Sequence, residues 1–339
     1  MKVAFRADAS IELGAGHIMR CLTLADELRA HGARTLFLCW RLPGHLGDLI
    51  LARGHALSWL PDTGLVAEVS ADALAAAAPH DWLVVDHYAL AADWEQAQRG
   101  VAEKILVIDD LADRMHDCDL LLDQNLQEAG RYDARLNASC RRLIGPDYAL
   151  LRPEFRVVRE RGLIVRRTPR RLLVSFGGAD VGGETLKALA AIVSLNRADL
   201  AVDVVIGAAN PHRAAIEQAC GALANARALV DVVDMAALIA EADLAIGAGG
   251  GSNWERCCLG LPAVLVAIAD NQVAASQVLA EAGAAAYLGT SARVDVETWR
   301  DGITACLRGD WLAVASVRAS ELADGRGAER VADAMEINT

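Results

Sequence analysis

A glycine-rich turn that carries a histidine lies near the start of the chain, between an apolar strand and a helix. The residues Val3-Ala4-Phe5 predict the strand, and the apolar spacing after Ile18 predicts the helix. The turn has the form Gly14-x-Gly16-His17, which exposes backbone N–H groups at the helix N-terminus and favours an anion there. His17 would therefore place a proton-transfer group beside a bound phosphate or a negatively charged transition state.

This turn matches neither of two known phosphate-binding patterns. It lacks the third glycine of the dinucleotide fingerprint and the Lys-Ser/Thr pair of the P-loop. A purely structural interpretation also remains open, in which the glycines only relieve crowding and His17 caps the helix. The turn alone therefore indicates anion chemistry without fixing it.

A second glycine-rich turn follows an apolar strand in the second half of the chain. Gly247 and Gly249–Gly251 supply four glycines within five residues, and Ser252 opens a helix with Glu255 in its first turn. Ser252 and Glu255 have the spacing of a capping box, which is the structural interpretation. In the functional interpretation, the N–H groups bind a diphosphate and Glu255 accepts hydrogen bonds from a ribose diol. The run of glycines favours function, because a tight turn rarely needs so many.

Polar residues also follow other predicted strands. Asp270-Asn271-Gln272 would either cap the next helix or present amides to the hydroxyl and acetamido groups of a sugar. Asp86 and Tyr88 follow one strand of the first half, and Asp109-Asp110 follows another. These carboxylates raise a metal hypothesis, but no tight cluster with ligand spacing accompanies them. We therefore predict no metal site.

The composition predicts an α/β protein and excludes a typical nucleic-acid binder. The 339 residues carry a net charge of −12, and 54% of them are hydrophobic but only 4% aromatic. An acidic, aliphatic-rich chain lacks a basic footprint and fits parallel strands buried on both faces. Eight scattered cysteines without a Cys-x-x-Cys pair indicate buried reduced thiols, not structural zinc. With no signal-peptide region and no apolar run of ~18 residues, we expect a cytoplasmic protein with no membrane partner.

Strand-like and helix-like segments alternate in both halves, which predicts βαβ units and parallel sheets. Two doubly wound, Rossmann-like domains facing each other would bring their strand ends together across one cleft, where such sheets bind ligands. An Arg-rich segment between the halves indicates a linker or a solvated face. The expected boundaries are an N-terminal domain at 1–152, a linker at 153–170, a C-terminal domain at 171–310 and a helical tail at 311–339.

Several of these motifs, taken in order, resemble one enzyme family. It is the family of UDP-2,4-diacetamido-2,4,6-trideoxy-β-L-altropyranose hydrolases of pseudaminic acid biosynthesis. The likeness runs from the first strand to about Gln277. It rests on the stretches Phe5-Arg6-Ala7-Asp8, Gly14–Cys21, Val85-Asp86-His87-Tyr88, Val174–Gly178, Gly247–Gly250, Trp254-Glu255-Arg256 and Asp270-Asn271-Gln272.

The resemblance implies a GT-B fold, similar to that of the glycosyltransferase that adds N-acetylglucosamine to the peptidoglycan lipid precursor. It also implies hydrolysis of the nucleotide sugar at C1, by C–O cleavage with inversion, releasing UDP without a metal or cofactor. The expected partner is thus a small-molecule UDP-sugar, and we expect the chain to act as a monomer.

The resemblance also assigns residues to roles. It makes His17 the catalytic base, places polar sugar contacts on Tyr88 and Asn271, and places nucleotide contacts on Gly249–Ser252 and Glu255. The remaining substrate contacts are expected from the same motifs, at Asp8, Gly14, Gly16 and Gln272.

One departure from the family pattern concerns the second turn. The family usually has Gly-Gly-Ser-Thr before its Trp-Glu-Arg, but here Gly251 takes the serine position and Ser252-Asn253 follow. The lost hydroxyl and added amide would lie next to the phosphates and bear on which sugar is accepted. Three alternatives to the hydrolase stay open: a glycosyltransferase of the same fold, a non-catalytic nucleotide-sugar binder and a 2-epimerase.

Overall fold

Strands and helices alternate along most of the chain in the computed structural model, which describes residues 1–61 and 74–336. The strands are β1 Lys2–Ala7, β2 Arg34–Trp40, β3 Ala56–Leu60, β4 His80–Asp86, β5 Ala102–Ile108, β6 Leu120–Asp123, β7 Arg141–Ile144, β8 Arg171–Ser175, β9 Ala201–Ile206, β10 Ala226–Val230, β11 Leu244–Ala248, β12 Ala263–Ala267 and β13 Ala285–Thr290. The helices are α1 Gly16–Ala30, α2 Gly47–Ala52, α3 Ala92–Ala97, α4 Pro153–Glu160, α5 Glu184–Ser194, α6 Arg213–Gly221, α7 Met235–Glu241, α8 Ser252–Cys258, α9 Asn271–Glu281, α10 Val296–Cys306, α11 Trp311–Leu322 and α12 Gly327–Glu336.

Two parallel sheets organise these elements, one in each half. The first has seven strands in the order β3-β2-β1-β4-β5-β6-β7, and the second has six in the order β10-β9-β8-β11-β12-β13. In both sheets the order reverses beside the first strand of the half, between β1 and β4 and between β8 and β11. Such a reversal opens a crevice at the carboxyl ends of the strands, where doubly wound sheets bind ligands.

Strand β4 shows why the first sheet is covered on both faces. Trp82 and Val84 enter one apolar core, and Leu83 and Val85 enter the core on the other face, because side chains alternate along a strand. Both faces therefore need helices or loops over them, which explains the continuous apolar strands in the sequence.

The chain divides into two compact units, one formed by Met1–Leu151 with the C-terminal stretch from Arg326, the other by Arg152–Gly325. The tail expected at 311–339 is therefore split. Helix α11 belongs to the second unit, whereas α12 belongs to the first. Helix α12 places Val331, Ala332 and Met335 in the core that α1 and β1 share, and burial of this apolar face fixes its place.

The segment 153–170 is expected from the sequence to be a linker, but in the structure it is part of the second unit. Pro153 starts helix α4 at a position where its missing N–H costs nothing. Arg166 is buried, and its guanidinium donates to the carbonyls of Ala242, Leu259 and other residues. Burial lowers the pKa of Arg166 to about 10. The arginines of this segment are thus partly structural and do not form a purely solvated face.

The edge strands β7 and β13 are not among those expected from the sequence. Strand β7 begins with two arginines, and only one of its four side chains is buried, so it lacks a strong apolar pattern. Within the described residues, no helix has both the length and the apolarity needed to cross a bilayer.

Candidate functional site

The imidazole of His17 is fixed by a carboxylate at the end of a neighbouring strand. Register pairs Ala7 of β1 with Asp86 of β4, so Asp86 ends its strand beside the loop that leads into α1. His17 Nδ1 lies 2.6 Å from Asp86 Oδ1. An ionised carboxylate only accepts, so Nδ1 carries the proton that it donates. In the neutral ring, Nε2 is then the unprotonated nitrogen that can accept a proton.

Arg20 holds the same carboxylate from the next turn of α1. Its Nε and Nη2 each donate to Asp86 at 2.6 Å, which is the bidentate geometry of a strong charge-assisted pair. Burial raises the pKa of Asp86, but the charge of Arg20 and the hydrogen bonds from Arg20 and His17 outweigh it and hold that pKa well below its usual range. Asp86 therefore stays ionised and keeps His17 in one tautomer.

Tyr88 also packs against this histidine. Its ring meets that of His17 edge-on, with centroids 5.0 Å apart, and its hydroxyl donates to Asp110 at 3.1 Å. Asp110 follows β5 and lies 3.4 Å from Arg20 Nη1. The expected residues His17 and Tyr88 are thus brought together. Arg20 and the role of Asp86 were missed, although His17 and Arg20 are three residues apart on one helix face.

His17 does not cap helix α1, so the structural interpretation of this turn is wrong on that point. Ala15 is the N-cap residue, the helix begins at Gly16, and no side chain caps it. Gly14 has a φ of +78°, a left-handed conformation that favours glycine. The first N–H groups of α1 have no partner within the helix and are free to face an anion.

The carboxylate of Asp8 is bound by other groups of the protein. It is buried, pairs with Arg6 at 2.7 Å, and accepts from the backbone N–H of Trp40 at 2.7 Å. Burial raises the pKa of Asp8, but hydrogen bonding to His87 and the charge of Arg6 lower it overall. Its carboxylate is therefore committed to protein groups and fixes the start of the loop that leads to His17.

The glycines of the second turn have different roles. A Cβ at Gly247 would overlap the carbonyl oxygen of Ser175, and one at Gly249 would overlap Oγ of Ser276 on α9. A Cβ at Gly251 would meet no heavy atom within 4 Å. Gly247 and Gly249 thus allow close packing of the backbone, whereas the open space at Gly251 leaves room for a ligand.

Helix α8 does not begin with the expected capping box. Gly251 is the N-cap residue, Ser252 is the first helical residue, and no side chain caps the helix. Glu255 instead lies 3.5 Å from Arg152 Nη2 and keeps 22% of its side chain exposed. Burial raises the pKa of Glu255, partly offset by the charge of Arg152. Glu255 is therefore free of a capping role and can accept hydrogen bonds from a ligand.

Arg256 stabilises the glycine turn from the buried side. It is buried, and its Nη2 donates to the carbonyl of Ala248 at 2.8 Å and to Oδ1 of Asn253. Burial lowers the pKa of Arg256 to about 10. With Ser252 and Glu255 it lines a cavity of about 20 Å³, enough for one water molecule.

The Asp270-Asn271-Gln272 stretch adjoins this turn. Helix α9 starts at Asn271, and the Asp270 side chain does not cap it. Gln272 Oε1 accepts from the N–H of Ile268 at 3.1 Å, and a Cβ at Gly250 would lie 3.6 Å from Gln272 Nε2. The second unit therefore brings together the glycine turn, Glu255 and the start of α9.

Within the described ranges 1–61 and 74–336, no group of three or more His, Cys, Asp or Glu side chains converges in a geometry that could hold a metal ion. The other carboxylate of the metal hypothesis, Asp109, is bound inside the protein. It accepts from the N–H of Ala112 at 2.8 Å and from the Tyr132 hydroxyl at 3.0 Å, and it pairs with Arg114.

Known proteins share both sequence and fold with this chain, although no protein-family model matches it. It is 28% identical over 247 residues to the UDP-2,4-diacetamido-2,4,6-trideoxy-β-L-altropyranose hydrolase of Campylobacter jejuni, covering 72% of this chain and 83% of that one. It is 34% identical over 155 residues to the spore coat polysaccharide biosynthesis protein SpsG of Bacillus subtilis. That match spans 45% of each protein, so it covers less than half the length of SpsG.

The crystal structure of MurG from Acinetobacter baumannii superimposes with a TM-score of 0.70, at 18% identity and 99% coverage of both chains. The chain has the GT-B fold of two Rossmann-like domains. The fold expectation and the resemblance to the hydrolase family are both confirmed.

Proposed function

We propose that this protein hydrolyses a UDP-linked 2,4-diacetamido-2,4,6-trideoxy sugar to UDP and the free sugar. Similarity to the Campylobacter hydrolase and the shared fold support a function in nucleotide-sugar chemistry. The observation that carries the finer proposal is the bond from His17 Nδ1 to Asp86, because it leaves Nε2 as the proton acceptor.

In this proposal the second unit recognises UDP. The diphosphate lies at the N–H groups of the Gly249–Ser252 turn, where a helix N-terminus favours negative charge. Glu255 accepts hydrogen bonds from the ribose diol. Fixed N–H dipoles stabilise the charge that develops on the leaving diphosphate, which is usually the largest contribution to catalysis.

The first unit supplies the base. Water attacks C1 from the face opposite UDP, its oxygen bonds to C1 as the C1–O bond to the diphosphate breaks, and its proton moves to Nε2 of His17. The configuration at C1 therefore inverts. Tyr88 and the amides of Asn271 and Gln272 hold the sugar, while the backbone of Gly14 and Gly16 faces the charged end of the substrate. Asp8 acts indirectly, through the position of the loop.

The test is UDP release from UDP-2,4-diacetamido-2,4,6-trideoxy-β-L-altropyranose, with the anomeric signal of the sugar followed by NMR. We expect the sugar that is released first to have the anomeric configuration opposite to that of the substrate. We expect EDTA to leave the rate of UDP release unchanged. The variant His17→Asn should lose ~10²–10⁴-fold in kcat, the usual contribution of a positioned base, with little change in UDP affinity.

A matched control is His31→Asn, because His31 also lies beside α1 but pairs with Glu336 away from the proposed site. It should keep the wild-type rate. Full turnover by His17→Asn would refute the base assignment, and release of a 2-epimer would identify an epimerase.

A glycosyltransferase is the second candidate, and one observation favours it. Ile11 and Leu13, on the loop before His17, are 50% and 49% exposed, so two apolar side chains face solvent near the proposed base. Such a surface suits an apolar acceptor better than water. UDP release that requires an added lipid or glycoside acceptor would support the transferase, and release in buffer alone would support the hydrolase.

A further inference from the structure

Two free cysteines of the first unit lie close enough to react with each other. The Sγ atoms of Cys118 and Cys140 are 3.5 Å apart. Cys118 lies just before β6 and Cys140 just before β7, and these strands pair in parallel from Leu120 and Arg141 onward. The pair therefore lies at the starts of its strands, at the end of the sheet opposite the carboxyl ends that carry Asp86 and Asp110.

The two thiols differ in access. Cys118 is fully buried, whereas Cys140 is partly exposed. The Cys118 thiol can donate to the Cys140 sulfur, and this hydrogen bond, with the charge of Arg142, lowers the pKa of Cys140 against the effect of burial. The thiolate is the reactive form of cysteine, so Cys140 is the member that an oxidant meets first.

Cys21 provides the contrast. Its thiol contacts Asp86 at 3.6 Å, and burial together with this negative charge raises its pKa well above the usual value. It remains a protonated, enclosed thiol. Cys140 therefore combines three properties: a second sulfur nearby, partial exposure and a stabilised thiolate.

We propose that Cys118 and Cys140 form a reversible intramolecular disulfide when the protein meets a peroxide or a disulfide oxidant. With glutathione disulfide, the Cys140 thiolate attacks one sulfur and releases one glutathione thiolate. The Cys118 thiol then loses its proton, attacks the Cys140 sulfur of the mixed disulfide and releases the second glutathione. With hydrogen peroxide, Cys140 becomes a sulfenic acid and releases water, and attack by Cys118 releases a second water.

The required movement is small. The sulfurs must approach from 3.5 Å to the bonded distance of about 2.05 Å. The bond would close the segment between the two cysteines, which includes β6 and Tyr132. Since a cross-link restricts the unfolded chain, the oxidised protein should unfold at a higher temperature than the reduced one.

The experiment treats the reduced full-length protein with glutathione disulfide and, separately, with hydrogen peroxide. Free thiols are then alkylated, and the protein is digested with trypsin without reduction. Cleavage after Arg131 and Arg135 places the two cysteines in separate peptides. We expect a linked pair of peptides lighter by two hydrogen atoms than their sum, which dithiothreitol separates.

Single variants test the order of the steps. Cys118→Ser should stop at a stable glutathione adduct on Cys140, and Cys140→Ser should leave Cys118 unmodified. The control Cys220→Ser, a buried cysteine of α6, should form the linked peptide as wild type does. Circular dichroism confirms that each variant is folded.

Two results would overturn the proposal. One is a wild-type protein in which Cys140 carries a stable glutathione or sulfinic acid and no linked peptide appears. The other is a linked peptide that joins different cysteines. Because the wild-type digest alone decides between these outcomes, the test does not depend on any variant folding.

Discussion

At the scale of single residues, one carboxylate organises the first-unit site. Asp86 accepts from His17 and from two nitrogens of Arg20, and it is almost fully buried. Burying an unpaired carboxylate is costly, so these partners are what allow it to stay ionised there. The same bonds fix the ring of His17, which links the stability of the site to its proposed chemistry.

Replacing this carboxylate should impair the base without removing it. In Asp86→Asn, the amide no longer requires a proton on Nδ1 of His17, so the ring can adopt the other tautomer and block Nε2. We expect kcat to fall ~10²–10⁴-fold, with KM changed much less. Steady-state UDP release measures both constants.

Two measurements separate this effect from unfolding. The variant leaves Arg20 without its main counter-charge, and breaking a buried pair costs ~3–5 kcal/mol, so thermal unfolding must show a folded protein at the assay temperature. Adding Asp86→Asn to His17→Asn should lower kcat no further, because Asp86 acts through His17. An additive loss would contradict the assignment.

At the scale of elements, the second glycine turn owes its shape to contact with a helix. Gly249 lies against Ser276 of α9, whose hydroxyl donates to the carbonyl of Gln272. The turn and the start of α9 are thus packed together without space for a side chain between them. This contact decides which glycines of the run are structural.

Gly249→Ala should therefore disturb the turn, and a second substitution should relieve it. The new methyl group would overlap the Ser276 hydroxyl, and overpacking of this kind costs ~1–3 kcal/mol. Adding Ser276→Ala removes the clashing oxygen and should restore most of the stability and the UDP affinity. Urea unfolding and UDP titration measure the two effects.

The matched control is Gly251→Ala. Its Cβ meets no atom within 4 Å, so the protein should keep its stability. If UDP occupies that space, the same variant should weaken UDP binding. Equal destabilisation by the substitutions at Gly249 and Gly251 would contradict this account.

A buried histidine of the first unit lies between helix α3 and the end of strand β5. His116 lies 2.7 Å from Glu95 of α3 and 3.9 Å from Asp109 after β5. Burial lowers the pKa of His116, but the negative charges of Asp109 and Glu95 and the hydrogen bond to Glu95 outweigh it and raise the pKa to about 9. The ring is therefore charged at neutral pH and cross-links the two carboxylates.

This histidine should make stability depend on pH. Because its folded pKa of about 9 exceeds the unfolded value near 6.5, its contribution is complete below pH 6.5 and is lost as pH rises through 9. The difference corresponds to ~3 kcal/mol. The unfolding free energy of wild type minus that of His116→Gln should shrink by this amount between pH 6 and pH 10. A constant difference would show that folding does not raise the pKa of His116.

At the scale of the whole molecule, the end of the chain completes the unit in which the chain began. Helix α12 buries Val331 and Met335 in the core of the first unit. The two units are therefore not two consecutive stretches of sequence. The complete core of the first unit contains residues that follow the second unit in sequence.

Met335→Ala should weaken the first unit selectively. Loss of a buried methionine side chain costs ~2–5 kcal/mol, whereas Asp333→Ala on the exposed face of the same helix should change stability by less than ~0.5 kcal/mol. Hydrogen exchange followed by mass spectrometry should show faster exchange in β1 and α1 and unchanged exchange in β11 and β12. Equal loss of protection in both units would contradict this assignment of α12.

Local sequence pattern predicts the alternation of strands and helices, and with it the two parallel sheets. Patterns such as Val3-Ala4-Phe5 are local, and the apolar period that defines them depends only on neighbouring residues. It also marks His17 and the Gly249–Gly251 turn as candidates, because glycines at a strand-to-helix turn expose backbone N–H groups and histidine can transfer a proton. Edge strands such as β7 lack that period, so local pattern could not show them.

Which of these residues lie together depends on how the strands and helices pack in the folded chain. Asp86 reaches His17 because β1 and β4 pair across a long separation in sequence, and no local pattern encodes that pairing. The close contact between Gly249 and Ser276 likewise joins two elements and is not encoded by any local pattern. The place of α12 depended on where its apolar face could be buried, a choice made by the cores available in the folded chain. The spacing of apolar residues along a chain predicts its helices and strands, but the contacts between those helices and strands form only when the chain folds.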